Sequence, residues 1–306
     1  MYYFLLFIFG LAVGSFLNVV SLRYVPGNRL LNLKIISGRS QCLSCQKTLS
    51  WYELIPILSF IVQKGRCRSC GKRFFWQYLV VEFLSGLIFL LVPIKILNSK
   101  FSIFNFQLIS NYQLLITIVW IAIFLLFLLL SIIDFRQYII PNQINLSLAV
   151  LGIVLIIFNF QFSRLPMSEA AGFGGQAISN SFLGSYAYLF GTSWMFENIW
   201  LSHFIAAIFG VVFFWLIIFL SKGKAMGWGD LKLVGALGLI FGWPDIIMIL
   251  IFSFLIGGIF STVLLVNGKK KMKDAVPFGP FLIIGAASTF FFGYQIINAY
   301  FKLFNL

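Results

Sequence analysis

The sequence predicts an all-α protein that crosses a membrane about eight times and carries one small extramembrane domain after its first helix. Hydrophobic residues make up 61% of its 306 residues and charged residues 10%, and the mean hydropathy is +1.00. A soluble domain carries about 25% charged residues. The apolar residues form continuous runs of mostly about 20 residues, the length at which a helix crosses a hydrocarbon core of about 30 Å. Continuous rather than alternating runs argue against a β-barrel.

Eight apolar runs define the predicted spans. They lie at 1–22, 77–97, 112–133, 143–162, 200–221, 231–243, 246–266 and 277–298. The run 231–243 is short and rich in glycine, so its bounds are the least sharply defined. The first run has no basic residue before it and is followed by Arg23, which favours a retained helix over a cleaved secretory signal. We therefore expect three regions: a first transmembrane helix at 1–22, an extramembrane domain at 23–76 and a transmembrane domain at 77–306.

The basic residues predict which side of the membrane each loop faces. If the amino terminus lies outside, the cytoplasmic segments are 23–76, 134–142, 222–230 and 267–276, and most of the 22 Lys and Arg residues fall in them. This bias follows the positive-inside rule. The net charge of +14 therefore reflects topology and attraction to anionic lipid. Because the charge is divided among loops, we expect no nucleic-acid partner. The outer segment 163–199 is rich in Gly and Ser and is interpreted as a loop or lid.

All four cysteines lie in the first predicted cytoplasmic segment, as two CxxC pairs: Cys42 with Cys45, and Cys67 with Cys70. Two such pairs can place four thiolates tetrahedrally around Zn²⁺, and four closed ligands are typical of a structural site. Redox-active thiols and two structural disulfides are the alternatives. A disulfide requires an oxidising compartment, whereas this very basic segment should face the reducing cytosol. The spacing therefore favours a structural zinc ion.

Two of the eight acidic residues stand at the predicted cytoplasmic edge of the bilayer. Asp134 ends the third apolar run and Asp230 begins the sixth. Ionised aspartate inside a span is costly, so such residues usually face protein or water-filled cavities. A close carboxyl pair can activate water, one group removing its proton while the other protonates a carbonyl oxygen. Alternatively, each aspartate only caps a helix end, where a carboxylate is favourable at an amino terminus.

Two glycines next to Asp230 favour the catalytic interpretation. Gly227 and Gly229 precede the carboxylate and would let an extended peptide backbone approach it closely. Glycine is also common in membrane helices, so the pattern is moderate evidence when taken alone.

Taken together, these residues resemble the type IV prepilin leader peptidase family over most of the chain. The matching stretches, in chain order, are Gly14-Ser-Phe-Leu-Asn with Arg23, the paired CxxC motifs, Glu53-Leu-Ile-Pro, Tyr78-Leu-Val-Val-Glu82, Asp134 with Ile140-Pro141, Gly227-Trp-Gly-Asp230 and Pro277-Phe-Gly-Pro-Phe. One of these motifs would be weak evidence, whereas the ordered set is highly specific.

The resemblance implies a GxGD-type intramembrane aspartic peptidase whose catalytic residues are Asp134 and Asp230. Its implied substrates are prepilins and pseudopilins, cleaved after a glycine at the cytoplasmic face of the bacterial inner membrane, as in type IV pilus and type II secretion systems. The resemblance also implies N-methylation of the new amino terminus with S-adenosylmethionine. It suggests Glu53 and Glu82 as residues on the methyltransferase side.

Some features depart from the family pattern or allow other functions. Asn142 stands where the family commonly has a further aspartate, which puts a third carboxylate in doubt. His203 is interpreted as a packing residue without a catalytic role. The alternatives are a peptidase without methyltransferase activity, a proton-coupled transporter that uses the two aspartates as a relay, and a non-catalytic scaffold. The aspartates at the membrane edge, the absence of a visible repeat and the inserted thiol domain argue against a transporter.

Overall fold

A computed structural model describes residues 2–27, 38–42, 44–97, 106–163, 198–223, 226–268 and 276–303. Its α-helices are α1 (Tyr2–Arg23), α2 (Leu58–Val62), α3 (Gln77–Leu97), α4 (Phe106–Gln137), α5 (Asn142–Ser163), α6 (Ile199–Leu220), α7 (Trp228–Phe241), α8 (Asp245–Val266) and α9 (Gly279–Leu303). A 3₁₀ turn at Trp51–Leu54 precedes α2. Within these ranges the chain forms isolated β-bridges but no strand. The predicted segment 163–199 lies almost wholly outside the described residues.

Each of the eight predicted apolar runs coincides with an α-helix, which confirms the all-α polytopic fold class. Among the described residues, five helical stretches have the length and composition to cross a membrane: Tyr2–Arg23, Gln77–Ile96, Gln113–Gln137, Ile199–Leu220 and Asp245–Val266. Asn142–Phe158 and Gly279–Gly293 are shorter apolar stretches. The short run becomes α7, whose 14 residues extend about 21 Å, less than the hydrocarbon thickness. It ends where Gly242 adopts a φ of 76°.

The described residues form two compact units. One contains the described residues up to Lys100 together with Gln107–Ile133, and the other contains those from Asp134 to the C-terminus. In the first unit, α1 packs closely on α3 because small residues line their contact. A Cβ atom at Gly10 would lie 2.8 Å from Ser85 O, and one at Gly14 would lie 2.8 Å from Glu82 Cα. Small residues at such positions allow two membrane helices to pack with their backbones close together.

In the second unit, α7 packs against both α5 and α6. Gly238 of α7 faces the backbone of Ala207, so only glycine fits there, and a Cβ atom at Gly152 of α5 would lie 3.1 Å from Leu239. Helices α8 and α9 pack together where Gly285 meets Ser253. The buried His203 of α6 has its Nδ1 2.9 Å from the carbonyl oxygen of Leu239, which agrees with the packing role that we expected for it.

The contact between α1 and α3 leads to a prediction about stability. Gly14→Ala should destabilise the protein by about 1–3 kcal/mol, because the added methyl group overlaps the backbone of α3. The midpoint of thermal unfolding in detergent measures the effect.

Gly258→Ala is the matched control, because a Cβ atom at that helical position has no neighbour within 4 Å. We expect its midpoint to stay the same or rise slightly. Equal midpoints for wild type and Gly14→Ala would contradict the close packing of α1 on α3.

Candidate active site and metal centre

The two CxxC pairs form two equivalent knuckles. In the first, Cys42 N–H donates to Lys47 O and Gln46 N–H donates to Cys42 O. In the second, Cys67 N–H donates to Lys72 O and Gly71 N–H donates to Cys67 O. Gln46 and Gly71 occupy the same position in the two turns, with φ of 55° and 67°. The repeated geometry orients both pairs of thiols in the same way.

The four sulfur atoms cluster as metal ligands do. All lie within 4.8 Å of one another. Cys42 Sγ is 3.9 Å from Cys70 Sγ, and Cys45 Sγ is 4.0 Å from Cys67 Sγ. Sulfurs bound tetrahedrally to Zn²⁺ at about 2.3 Å lie about 3.8 Å apart. All four cysteines are free thiols here. Each of these two close sulfur contacts joins one knuckle to the other. The cluster can therefore bind a metal ion.

Backbone amides favour the thiolate form of the buried cysteines. Hydrogen bonds from the N–H groups of Cys70 and then Ser69 lower the pKa of Cys67 to about 6. The amides of Cys45 and Ser44 likewise lower the pKa of Cys42. The thiolate is the form that binds metal, and the turn geometry of the knuckles favours it at Cys42 and Cys67.

A strained turn follows the first knuckle. Leu58 N–H donates to Pro56 O at 2.6 Å and closes a γ-turn whose central residue, Ile57, has φ 60° and ψ −52°. This hand of γ-turn is rare and strained, and a β-branched residue tolerates positive φ poorly. Such strain persists where the surrounding structure enforces it, which is common at functional sites.

Glu82 on α3 stabilises this γ-turn. Its Oε2 accepts a hydrogen bond from Ile57 N–H at 2.8 Å, and the carboxyl group also accepts one from the Ser15 hydroxyl of α1. The side chain is only 7% exposed. Glu82 thus joins α1, α3 and the segment after the first knuckle.

A cavity of about 200 Å³ lies beside the γ-turn and contains both glutamates singled out from the sequence, Glu53 and Glu82, in its wall. Glu53 Oε2 accepts the Ser50 N–H at 2.9 Å and so helps to begin the 3₁₀ turn. The wall also includes Cys42, the cations Arg23 and Lys72, and the ring of Tyr78. The cavity therefore combines negative, positive and aromatic groups in one place.

The second unit holds the two predicted aspartates. Asp134 lies near the end of α4 and is 4% exposed, and its carboxyl group accepts a hydrogen bond from the backbone N–H of Gly279. Gly279 is the first residue of α9. The carboxyl group therefore sits at the positive end of a helix dipole, which favours negative charge.

Asp230 has the equivalent position at the start of α7. It is 9% exposed, and its Oδ2 accepts the Gly227 N–H at 3.3 Å. The two carboxyl groups lie close enough for their charges to influence each other, so the fold brings Asp134 and Asp230 to one site. One buried oxygen of each, Asp134 Oδ2 and Asp230 Oδ1, has no hydrogen-bond partner among the described residues. Two helix amino termini thus support a carboxyl pair in which one oxygen of each group remains available as an acceptor.

The two glycines of the motif differ in their surroundings. A Cβ atom at Gly229 would lie 3.0 Å from Ile140 Cβ, so this glycine allows α7 to lie close to the segment that follows Asp134. At Gly227 the nearest atoms to such a Cβ would be Asp230 Oδ2 at 3.6 Å and Gly229 N at 3.9 Å. Among the described residues, a side chain at Gly227 would therefore make only ordinary van der Waals contacts, the nearest of them with the carboxylate.

Reasoning from the sequence did not identify two further residues at this site. Gly279 supplies the hydrogen bond to Asp134, and only its place in the Pro277-Phe-Gly-Pro-Phe stretch could have drawn attention to it. Asn145 of α5 donates from Nδ2 to the carbonyl oxygen of Gly229 at 3.3 Å. Asn142 instead accepts a hydrogen bond from Lys232 Nζ at 2.8 Å on an exposed surface.

The membrane helices and the buried carboxyl pair place this protein among the polytopic membrane enzymes. Two family models match the chain: the bacterial peptidase A24 N-terminal domain over residues 8–96, and the type IV leader peptidase family over residues 176–262. The first range includes the four cysteines, Glu53 and Glu82. The second includes Asp230, whereas Asp134 lies outside it.

Curated relatives extend the similarity along nearly the whole chain, and each of the following is named prepilin leader peptidase/N-methyltransferase. The protein from Bacillus subtilis (strain 168) is 30% identical over 98% of both chains. The protein from Aeromonas salmonicida (strain A449) is 27% identical over 98% of this chain and 94% of its own. The protein from Legionella pneumophila is 27% identical over 96% and 92%. The chain therefore belongs to the type IV prepilin leader peptidase family. No solved structure gives a significant match.

The sulfur cluster leads to a prediction about metal content. The purified protein should contain about one metal ion per chain, and Cys67→Ser should lose it because a hydroxyl group is a poor replacement for a thiolate ligand. Elemental analysis of protein purified without added metal measures the content.

Ser44→Ala is the control within the first knuckle, since it keeps all four sulfurs, and it should retain the metal. Wild-type protein without metal, with its thiols paired as disulfides, would contradict the assignment.

Proposed function

We propose that this protein cleaves the leader peptide from type IV prepilins and pseudopilins and then N-methylates the new amino terminus. Relatives that match the chain over nearly its whole length carry both activities in their name. The observation that carries the peptidase proposal is the buried pair Asp134 and Asp230, each at a helix amino terminus.

The carboxyl pair supplies the groups that peptide hydrolysis needs. Two carboxyl groups whose charges repel share one proton, so one acts as base and the other as acid. The base removes a proton from water, and the acid protonates the carbonyl oxygen of the scissile peptide. The partnerless oxygens Asp134 Oδ2 and Asp230 Oδ1 are available for these contacts. The amides of Gly227 and Gly279 keep the other side of the pair in place.

We expect the extended substrate backbone to approach Asp230 beside Gly227, which has no side chain to obstruct it. Gly229 has a different role, because its small size allows α7 to approach Ile140. The apolar helix of the prepilin would remain in the bilayer while its leader is removed at the membrane surface. We place this surface on the cytoplasmic side of the inner membrane, because the loops next to both aspartates belong to the set of segments that together contains most of the Lys and Arg residues.

We assign methyl transfer to the cavity beside the γ-turn. Its wall offers carboxylates, cations and an aromatic ring, which match the cationic, anionic and aromatic parts of S-adenosylmethionine. That molecule, when bound, supplies an activated methyl group. The buried carboxylate of Glu82 can bind the ammonium group of the new amino terminus and accept its proton. Glu53 provides a second negative charge on the same wall.

The four-cysteine cluster has a structural role in this proposal, and we assign zinc to it. Four sulfur ligands leave no open position for a substrate. Cys42 lies in the cavity wall, so the metal would fix the first knuckle against the cavity. In functional terms, segment 23–76 is then the zinc-binding region and forms part of the methyl-transfer cavity, to which α3 adds Glu82, and the peptidase lies within 77–306.

Replacing either aspartate tests the peptidase. Asp134→Asn and Asp230→Asn should each lower cleavage of a prepilin peptide by at least about 10²-fold, because an amide cannot act as acid or base. Mass spectrometry of the product measures the loss of the leader. Methylation of a pilin peptide supplied without its leader should persist in both variants and show that they are folded.

Asp245→Asn is the matched control, since Asp245 is also a buried aspartate in the first turn of a helix, α8. It should cleave normally. Full cleavage by Asp134→Asn or Asp230→Asn would refute the aspartic mechanism and revive the transporter or scaffold hypotheses.

Replacing Glu82 tests the methyl-transfer site. Glu82→Gln should lower methylation by about 10²-fold or more, because the amide retains an acceptor for Ile57 N–H but loses the charge and the base. Cleavage by the same preparation should stay near the wild-type rate. The gain of a methyl mass on the cleaved peptide is the measurement. Unchanged methylation would exclude Glu82 as the base. If the wild-type protein did not methylate the peptide, it would be a peptidase without methyltransferase activity.

A further inference from the structure

Asn145 has an environment that packing alone does not explain. It lies near the start of α5 and is 5% exposed. Its Nδ2 donates to the carbonyl oxygen of Gly229, 84 residues away, at 3.3 Å. Its Oδ1 is buried and has no hydrogen-bond partner among the described residues. A buried polar atom without a partner costs about 1–3 kcal/mol, so an apolar side chain would be favoured at this position if stability alone decided.

Among the described residues, few other groups support the turn that Asn145 contacts. Gly227 and Gly229 have no side chains to anchor it, and Trp228 between them is 63% exposed. The carbonyl group of Gly229 immediately precedes Asp230 in the chain. A hydrogen bond to this carbonyl therefore restrains the peptide unit that carries the aspartate.

Helix α5 is suited to give that restraint. It begins at Asn142, shortly after Asp134, and it packs along α7. Asn145 therefore ties the backbone that carries Asp230 to the helix that follows Asp134. Both aspartates are then linked to the same helix, α5.

We propose that Asn145 is a positioning residue for the peptidase, which fixes the Gly229–Asp230 peptide through its Nδ2 and so sets the geometry of the carboxyl pair. This inference rests on the proposed peptidase function. In this role Asn145 does not contact the substrate. Its loss should therefore reduce kcat and leave KM nearly unchanged, because misplacing a catalytic group by about 1 Å can cost about 10²-fold in rate.

Two variants separate positioning from packing. Asn145→Leu keeps the branching at Cγ but removes the donor, and Asn145→Asp retains the shape but presents an acceptor to the Gly229 carbonyl. We expect both to lower kcat for a transmembrane prepilin peptide by about 10- to 100-fold, with KM changed less than about threefold. The full-length protein in lipid nanodiscs is the sample.

Asn142→Ala is the matched control on the same helix, because it removes only an exposed hydrogen bond to Lys232. Its kcat should stay within about twofold of wild type. Methylation of a leaderless pilin peptide should persist in all three variants, which reports that the fold is intact. If Asn145→Leu fails this check, Asn145→Asp decides alone.

The outcomes distinguish this inference from the proposed function. Wild-type protein that cannot cleave the peptide would refute the peptidase proposal and the inference with it. Wild-type cleavage combined with an unchanged kcat in either Asn145 variant that passes the methylation check would refute only the role of Asn145. A rise in KM at constant kcat would also refute it, since Asn145 would then act in binding.

Discussion

The hydrogen bonds that helix amino termini give to Asp134 and Asp230 are the interaction on which the proposed peptidase site depends. A carboxyl group in an apolar environment is costly unless hydrogen bonds and favourable dipoles surround it. Gly279 at the start of α9 and Gly227 just before α7 donate these bonds. Because a membrane helix satisfies its own backbone except at its ends, the ends are where such a pair can be placed. The glycines of the site follow from this requirement for close approach.

The first unit also relies on backbone amides and a buried carboxyl group, which there support the thiol cluster and the γ-turn. Its knuckles use backbone amides to favour thiolates, and its γ-turn uses the buried carboxylate of Glu82 to hold Ile57 at positive φ. The Gly14 contact lets α1 approach α3 next to Glu82, and Ser15 then reaches the carboxyl group. Close helix packing, a strained turn and a polar cavity are therefore linked through one side chain.

Much of the fold could be predicted because membrane spans are encoded locally. A run such as 200–221 is apolar in every direction, and the lack of water in the bilayer leaves helix as its stable form. The CxxC spacing likewise defines a knuckle within a few residues. The predicted ends of α7 are the least sharply defined for a related reason. They depend on Gly227 and Gly242 rather than on the end of an apolar run.

The helical membrane architecture, the two cysteine knuckles and the two candidate aspartates can be predicted from the sequence, because each is a pattern within a short stretch of chain. The groups that support them are specified by tertiary packing instead. Gly279 meets Asp134, Asn145 meets Gly229 and Glu82 meets Ile57 across separations of 25 residues or more. The physical reason is that hydrogen-bond partners are chosen by distance and direction in space, and helix packing sets both. A helix's pattern of apolar residues favours burial of a face, but it does not specify which backbone amide will lie opposite a given carboxylate.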